Sequence, residues 1–145
     1  DMNPFQAGYI ERLRAWRDLR HSAVNLDDDE KLKTIDRWWQ QAPLLTHHIH
    51  PLDQQNWPDP WTMLSDNLYC HLTRALGICY TLFMLDEHPE LVSARDQYCE
   101  EYPLVLVRSG KYILSYHPNT VLSNSLSDFK IISRFNLDSS RSKIK

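Results

Sequence analysis

Apolar residues recur every three to four positions through the first two-thirds of the chain and every second position beyond about residue 101, so helices come first and strands last. Phe5, Tyr9, Leu13 and Trp16 form the buried stripe of a first helix, opened by Asn3 and Pro4 and running to about Arg20, with its arginines turned to water. A second helix starts at Asp27, Asp28, Asp29 and Glu30, where Asp27 and Glu30 have capping-box spacing. It buries Leu32, Ile35, Trp38 and Trp39 and stops at Ala42 before Pro43. A loop rich in His and Pro follows over 46–59, then a helical turn over 60–65. The next helix reaches about Asp86 with Leu68, Leu72, Ala75, Leu76, Cys79, Tyr80 and Phe83 at helical spacing. Pro89 to Cys99 reads as a further helix. Residues 102–108 and 111–117 read as strands of a hairpin turned at Ser109 and Gly110, and 129–135 as a third strand.

This order predicts an α+β domain over residues 1–135: N-terminal helices and a central cysteine-bearing helix packed on a small antiparallel hairpin or three-stranded sheet. The Ser- and Lys-rich residues 136–145 read as a flexible tail. At 145 residues the chain has the length of one domain with a real core, and five Trp, seven Tyr and four Phe supply large buried area. The formal charge of −3 argues against a nucleic-acid partner. No apolar run reaches the ~18 residues of a membrane helix, so no membrane partner is expected. Three cysteines, two of them on helical core faces, fit reduced thiols, and a cytoplasmic location is expected.

Candidate chemistry centres on Cys70. With Asp66 and Asn67 as N-caps, it falls about one turn inside a helix N-terminus, where unpaired N–H groups and the helix dipole favour a thiolate. The competing reading is a small buried hydrophobe. His71 points about 100° away around the helix and is no base for its neighbour. His47, His48 and His50 are of metal-ligand type, with Asp53, Cys70 and His71 as conceivable further donors. Their extended spacing favours a solvated loop, and neither metal nor cofactor is expected. Trp38, Trp39, Trp57 and Trp61 are candidate interface residues, because adjacent Trp38 and Trp39 cannot share one inward stripe.

The segment Pro60, Trp61, Met63, Leu64, Asp66, Asn67, Leu68, Tyr69, Cys70, Leu72, Ala75, Leu76, Gly77, followed by a hairpin, resembles the core of the transglutaminase-like (papain-like) cysteine fold. The resemblance covers roughly 57–116 and implies Cys70 as nucleophile, a histidine at the start of the first strand after the helices, and Asp or Asn on the next strand. Here Tyr102 stands where the histidine is expected, and the next strand carries no carboxylate, leaving His117 as the base candidate with Asn119 as its orienter. A thiol without its base loses general-base activation. The expectation is therefore a degenerate, non-catalytic protein-binding or assembly module, with a protein partner or a second copy of itself. The alternative is a cysteine hydrolase or acyltransferase using Cys70. The Trp57-Pro58-Asp59-Pro60-Trp61 and Tyr69-Cys70 patterns also resemble tailed-bacteriophage proteins, which implies a virion component.

Overall fold

The structure is a computed structural model and describes residues 3–45, 54–118 and 120–144 of the 145. Among them the α+β order holds. Helices α1 (Tyr9–Ala23), α2 (Asp28–Gln40), α3 (Pro60–Asp66) and α4 (His71–Met84) precede strands β1 (Glu90–Arg95), β2 (Glu101–Val107), β3 (Tyr112–His117), β4 (Thr120–Ser123) and β5 (Lys130–Phe135). A short α5 (Asp138–Ser142) follows. The sheet is antiparallel with strand order β4-β3-β2-β1-β5.

Helix α4 is apolar nearly all round because it lies between the other helices and the sheet. Its sheet-side neighbours Leu91, Val105, Val107 and Leu114 join the helical core. The alternate residues Val92, Leu104, Leu106 and Ile113 form a second cluster on the opposite face, covered by Tyr102, Tyr116, Leu126, Phe129 and Ile131. Three helices meet at one hydroxyl. Thr81 Oγ1 accepts from Trp16 Nε1 on α1 and from Trp39 Nε1 on α2, each at 2.9 Å, and donates to Gly77 O at 2.8 Å. The ring of Trp39 lies so close to Gly77 that a Cβ there would sit 2.6 Å from it.

Several expectations need correction. Residues 89–99 form a strand and a turn rather than a helix, because β1 is hydrogen-bonded on both sides, to β2 and β5, and tertiary pairing outweighs the local helix signal. Asp96 builds that turn by accepting from the N–H groups of Tyr98 (2.9 Å) and Glu100 (3.0 Å). With β4 and β1 added, the sheet has five strands rather than two or three. Residues 136–144 pack on the domain instead of hanging free: Leu137 and Ser140 are buried, and Lys143 Nζ donates to Trp57 O. On α1, Arg12 is buried rather than solvated, donating from Nε to Leu64 O (2.7 Å) and from Nη2 to Ser65 O (3.3 Å) at the C-terminal end of α3.

Thr81→Val keeps the shape of the side chain and strands two buried indole N–H groups. We expect a loss of about 2–6 kcal/mol in urea unfolding, at roughly 1–3 kcal/mol for each of the two unsatisfied donors. A change below about 0.5 kcal/mol, the scale of an ordinary surface substitution, would refute the role of this node.

Candidate functional site: the N-terminus of the central helix

Cys70 is itself the N-cap of α4, not a residue one turn inside it. Asp66 and Asn67, expected to cap this helix, instead close α3, where Asn67 takes the left-handed conformation (φ 55°). The chain then runs extended, with Tyr69 bridged to Leu44 and its carbonyl accepting from Leu45 N at 2.9 Å. Cys70 N–H donates to Thr73 Oγ1 at 2.8 Å, and that hydroxyl lies 3.6 Å from Cys70 Sγ. The residue is 8% exposed. Cys79, deeper in α4, is fully buried, and burial pushes its thiol well above the usual range.

Among the described residues, the sheet brings neither Tyr102 nor His117 to this thiol. Because Val105 and Val107 face the helices, strand alternation puts Pro103 on that face and Tyr102 on the other. Tyr102, expected in the histidine's place, lies edge-on to Tyr116 at 4.9 Å, in the outer-face cluster. His117 belongs to the same cluster, its ring 3.9 Å from that of Tyr116 and 5.8 Å from that of Tyr102. Among the described residues no imidazole is hydrogen-bonded to Cys70 Sγ, whose partner is Thr73. Asn119, His47, His48, His50 and Asp53 lie outside the described residues. Among the described residues no group of three or more His, Cys, Asp or Glu side chains is gathered as a metal site.

Sequence reasoning passed over a buried polar group in the layer between α2, α4 and β3. Asp36 is 1% exposed, and its Oδ1 accepts from Ser115 N at 2.9 Å. That bond holds the β3 irregularity where Ser115 adopts φ 71°. Arg74, one turn into α4 from Cys70, is also buried and donates to Gln40 O at 2.7 Å and to the Gln40 side chain. Asp36 Oδ2 and Arg74 Nε have no partner among the described residues. Desolvation raises the Asp36 carboxyl to about 6, outweighing the Ser115 hydrogen bond and the attraction of Arg74. The signal was present in the spacing: Leu32, Ile35, Asp36 and Trp39 lie at i, i+3, i+4 and i+7, a carboxylate on the apolar stripe.

Of the four tryptophans proposed for an interface, Trp39 and Trp57 are core residues at 0% and 2% exposure, and their burial in the domain removes them from any docking face. Trp38 is half-buried against Phe5 and Trp39, and Trp61 is exposed. Both adjacent indoles pack together because Phe5, from the N-terminal 3-10 turn, covers the α2 boundary.

No protein-family model and no curated protein matches the chain. Among solved structures it is similar to LapG of Legionella pneumophila in the calcium-bound form. That likeness has a TM-score of 0.71 at 17% identity and covers 90% of this chain and 77% of LapG. A second structure of LapG gives 0.68 at 18%, over 89% and 75%, and the EGTA-treated form gives 0.68 at 18%, over 89% and 74%. The fold is transglutaminase-like. Among the described residues no helix is long and apolar enough to cross a membrane.

A carboxyl that is raised from 3.8 to about 6 on folding keeps its proton in the folded chain between those pH values, where the unfolded chain has released it. Its contribution is therefore full below about pH 4 and is lost as pH rises through 6, on the order of 3 kcal/mol in all. Asp36→Asn should remove this part of the slope. The check is the wild-type minus variant difference in urea unfolding free energy between pH 4 and 7, and a flat difference would contradict it.

Proposed function

We propose that this domain is a cysteine-dependent hydrolase or acyltransferase with Cys70 as the nucleophile. The carrying observation is geometric: Cys70 is the N-cap of the central helix, its sulfur beside the first-turn residue Thr73 at the point where the helix layer meets the extended segment from Tyr69. The likeness to LapG, a cysteine protease of transglutaminase-like fold, supports this reading more than it supports a non-catalytic one. In the proposed step the Cys70 sulfur bonds to an acyl carbon as the bond to the leaving group breaks, the thiol's proton passing through solvent to that leaving group. Water or an amine then adds to the thioester, the C–S bond breaks, and the acyl product leaves as the proton returns to sulfur. His117 does not serve as the base, because its ring is held in the outer-face cluster with Tyr102 and Tyr116.

A second reading, a protein-binding or assembly module on a core without its chemistry, is favoured by the strand faces. The fold turns Pro103, Val105 and Leu114 toward the helices and supplies neither imidazole nor carboxylate from those positions. A virion component is the form this second reading takes from the Trp57-Pro58-Asp59-Pro60-Trp61 resemblance.

Alkylation separates the two. Cys99 is exposed, so the measurement uses a Cys99→Ser background, with iodoacetamide at neutral pH and peptide mapping. The enzyme reading expects Cys70 to react faster than the same thiol in the urea-unfolded chain, p-nitrophenyl ester hydrolysis to vanish in Cys70→Ala, and both to survive His117→Ala. Reaction of Cys70 slower than in the unfolded chain, with no esterase activity, selects the module.

A further inference from the structure

At the other end of α4 from Cys70, about 20 Å along a 14-residue helix, lies a cleft of about 460 Å³. Its walls include Arg20 from α1, Phe83 at the end of α4, and Arg141 from α5. Both guanidinium groups lie over aromatic rings, Arg20 over Trp16 at 4.4 Å and Arg141 over Phe83 at 4.7 Å. Stacking uses the faces of the guanidinium planes and leaves their N–H edges free. Among the described residues neither side chain donates a hydrogen bond or enters an ion pair, and Arg20 Nε is buried without a partner. A buried donor such as Arg20 Nε is normally paired, which sets this guanidinium apart from an ordinary surface arginine.

The acids near the cleft do not account for them. Glu87 is already held by Lys31 (2.9 Å) and Arg108 (3.2 Å) on another side. Asp86 is exposed and bonded to neither arginine, so two positive groups face one unpaired carboxylate. Desolvation, with a smaller contribution from the positive charge of Arg17, holds the Arg20 guanidinium below its ordinary range.

We infer that this cleft is an oxyanion-binding site in which Arg20 and Arg141 grip the phosphate or carboxylate group of a small ligand. Phe83 and Ile144 supply an apolar wall for the rest of the ligand. The inference does not depend on Cys70 and holds under either functional reading.

The test is calorimetric titration of the full chain with inorganic phosphate and, separately, with glutarate, at ionic strength fixed by sodium chloride. One saturable site for at least one probe is expected. Saturation by phosphate alone assigns a phosphate-bearing ligand, and saturation by glutarate alone a carboxylate; both probes binding supports the shared site. Arg20→Met and Arg141→Met keep the stacked stems, and each should weaken binding about tenfold or more through loss of charge-assisted hydrogen bonds, whereas exposed Arg14→Met leaves it unchanged. Arg141 lies on the short α5, so its variant decides the matter even if the α1 variant is unstable. Binding of neither probe, or binding unchanged in the two methionine variants, overturns the proposal.

Discussion

The hydroxyl of Thr81 is the point on which the helical layer depends. It satisfies two indole N–H groups from two different helices and returns its own proton to the Gly77 carbonyl, so every polar atom at the node is paired. Trp16 and Trp39 can bury their full area only because this partner exists. The same approach explains the glycine at 77, since Trp39 occupies the space a Cβ would need. With α1 and α2 held against one face of α4 in this way, the opposite face is left for the sheet, and the N-terminus of α4 is presented at a defined place between the layers.

That place carries Cys70, and the fold treats it unevenly. The helix places it at the N-cap, with the Thr73 hydroxyl accepting from the Cys70 N–H and closing the first turn beside the sulfur. The strands do not supply a proton acceptor from β2 or β3, because the alternation that sends Val105 and Val107 inward sends Tyr102 to the far face, with His117 gathered beside it. Between α2, α4 and β3 the protein instead buries Asp36 and Arg74. Asp36 is engaged with the backbone of Ser115, at the irregular end of β3, and Arg74 with Gln40. A buried carboxylate spent on backbone geometry fixes how β3 meets the helices, and its raised carboxyl makes that joint sensitive to pH.

Much of this architecture was legible in the chain. The 3.6-residue period of Leu32, Ile35 and Trp39, the Asp27 cap and the two-residue period around Ser109-Gly110 specify elements whose stabilising contacts are local. The presence of helices α1, α2 and α4 and of the β2-β3 hairpin could therefore be read directly, although Asn3 and Pro4 open a separate 3-10 turn (Pro4–Gln6) and α1 begins only at Tyr9. That Cys70 lies near the N-terminus of the central helix was legible too, although it proved to be the N-cap itself rather than a residue one turn inside. What the tertiary structure alone decided rests on contacts distant in sequence. Residues 90–95 became a strand because two other strands pair with them. Residues 136–144 became ordered because Trp57 and Phe83 offered surfaces to dock on. Tyr102 went to the outer face because the alternation of β2 follows Val105 and Val107 inward, and His117 joined it there beyond the irregularity of β3, since a one-residue difference in register reverses which face a side chain joins. Local periodicity carries no information about such pairings, and for that reason the chain by itself determined its elements and its cysteine, while the packing decided what stands around that cysteine.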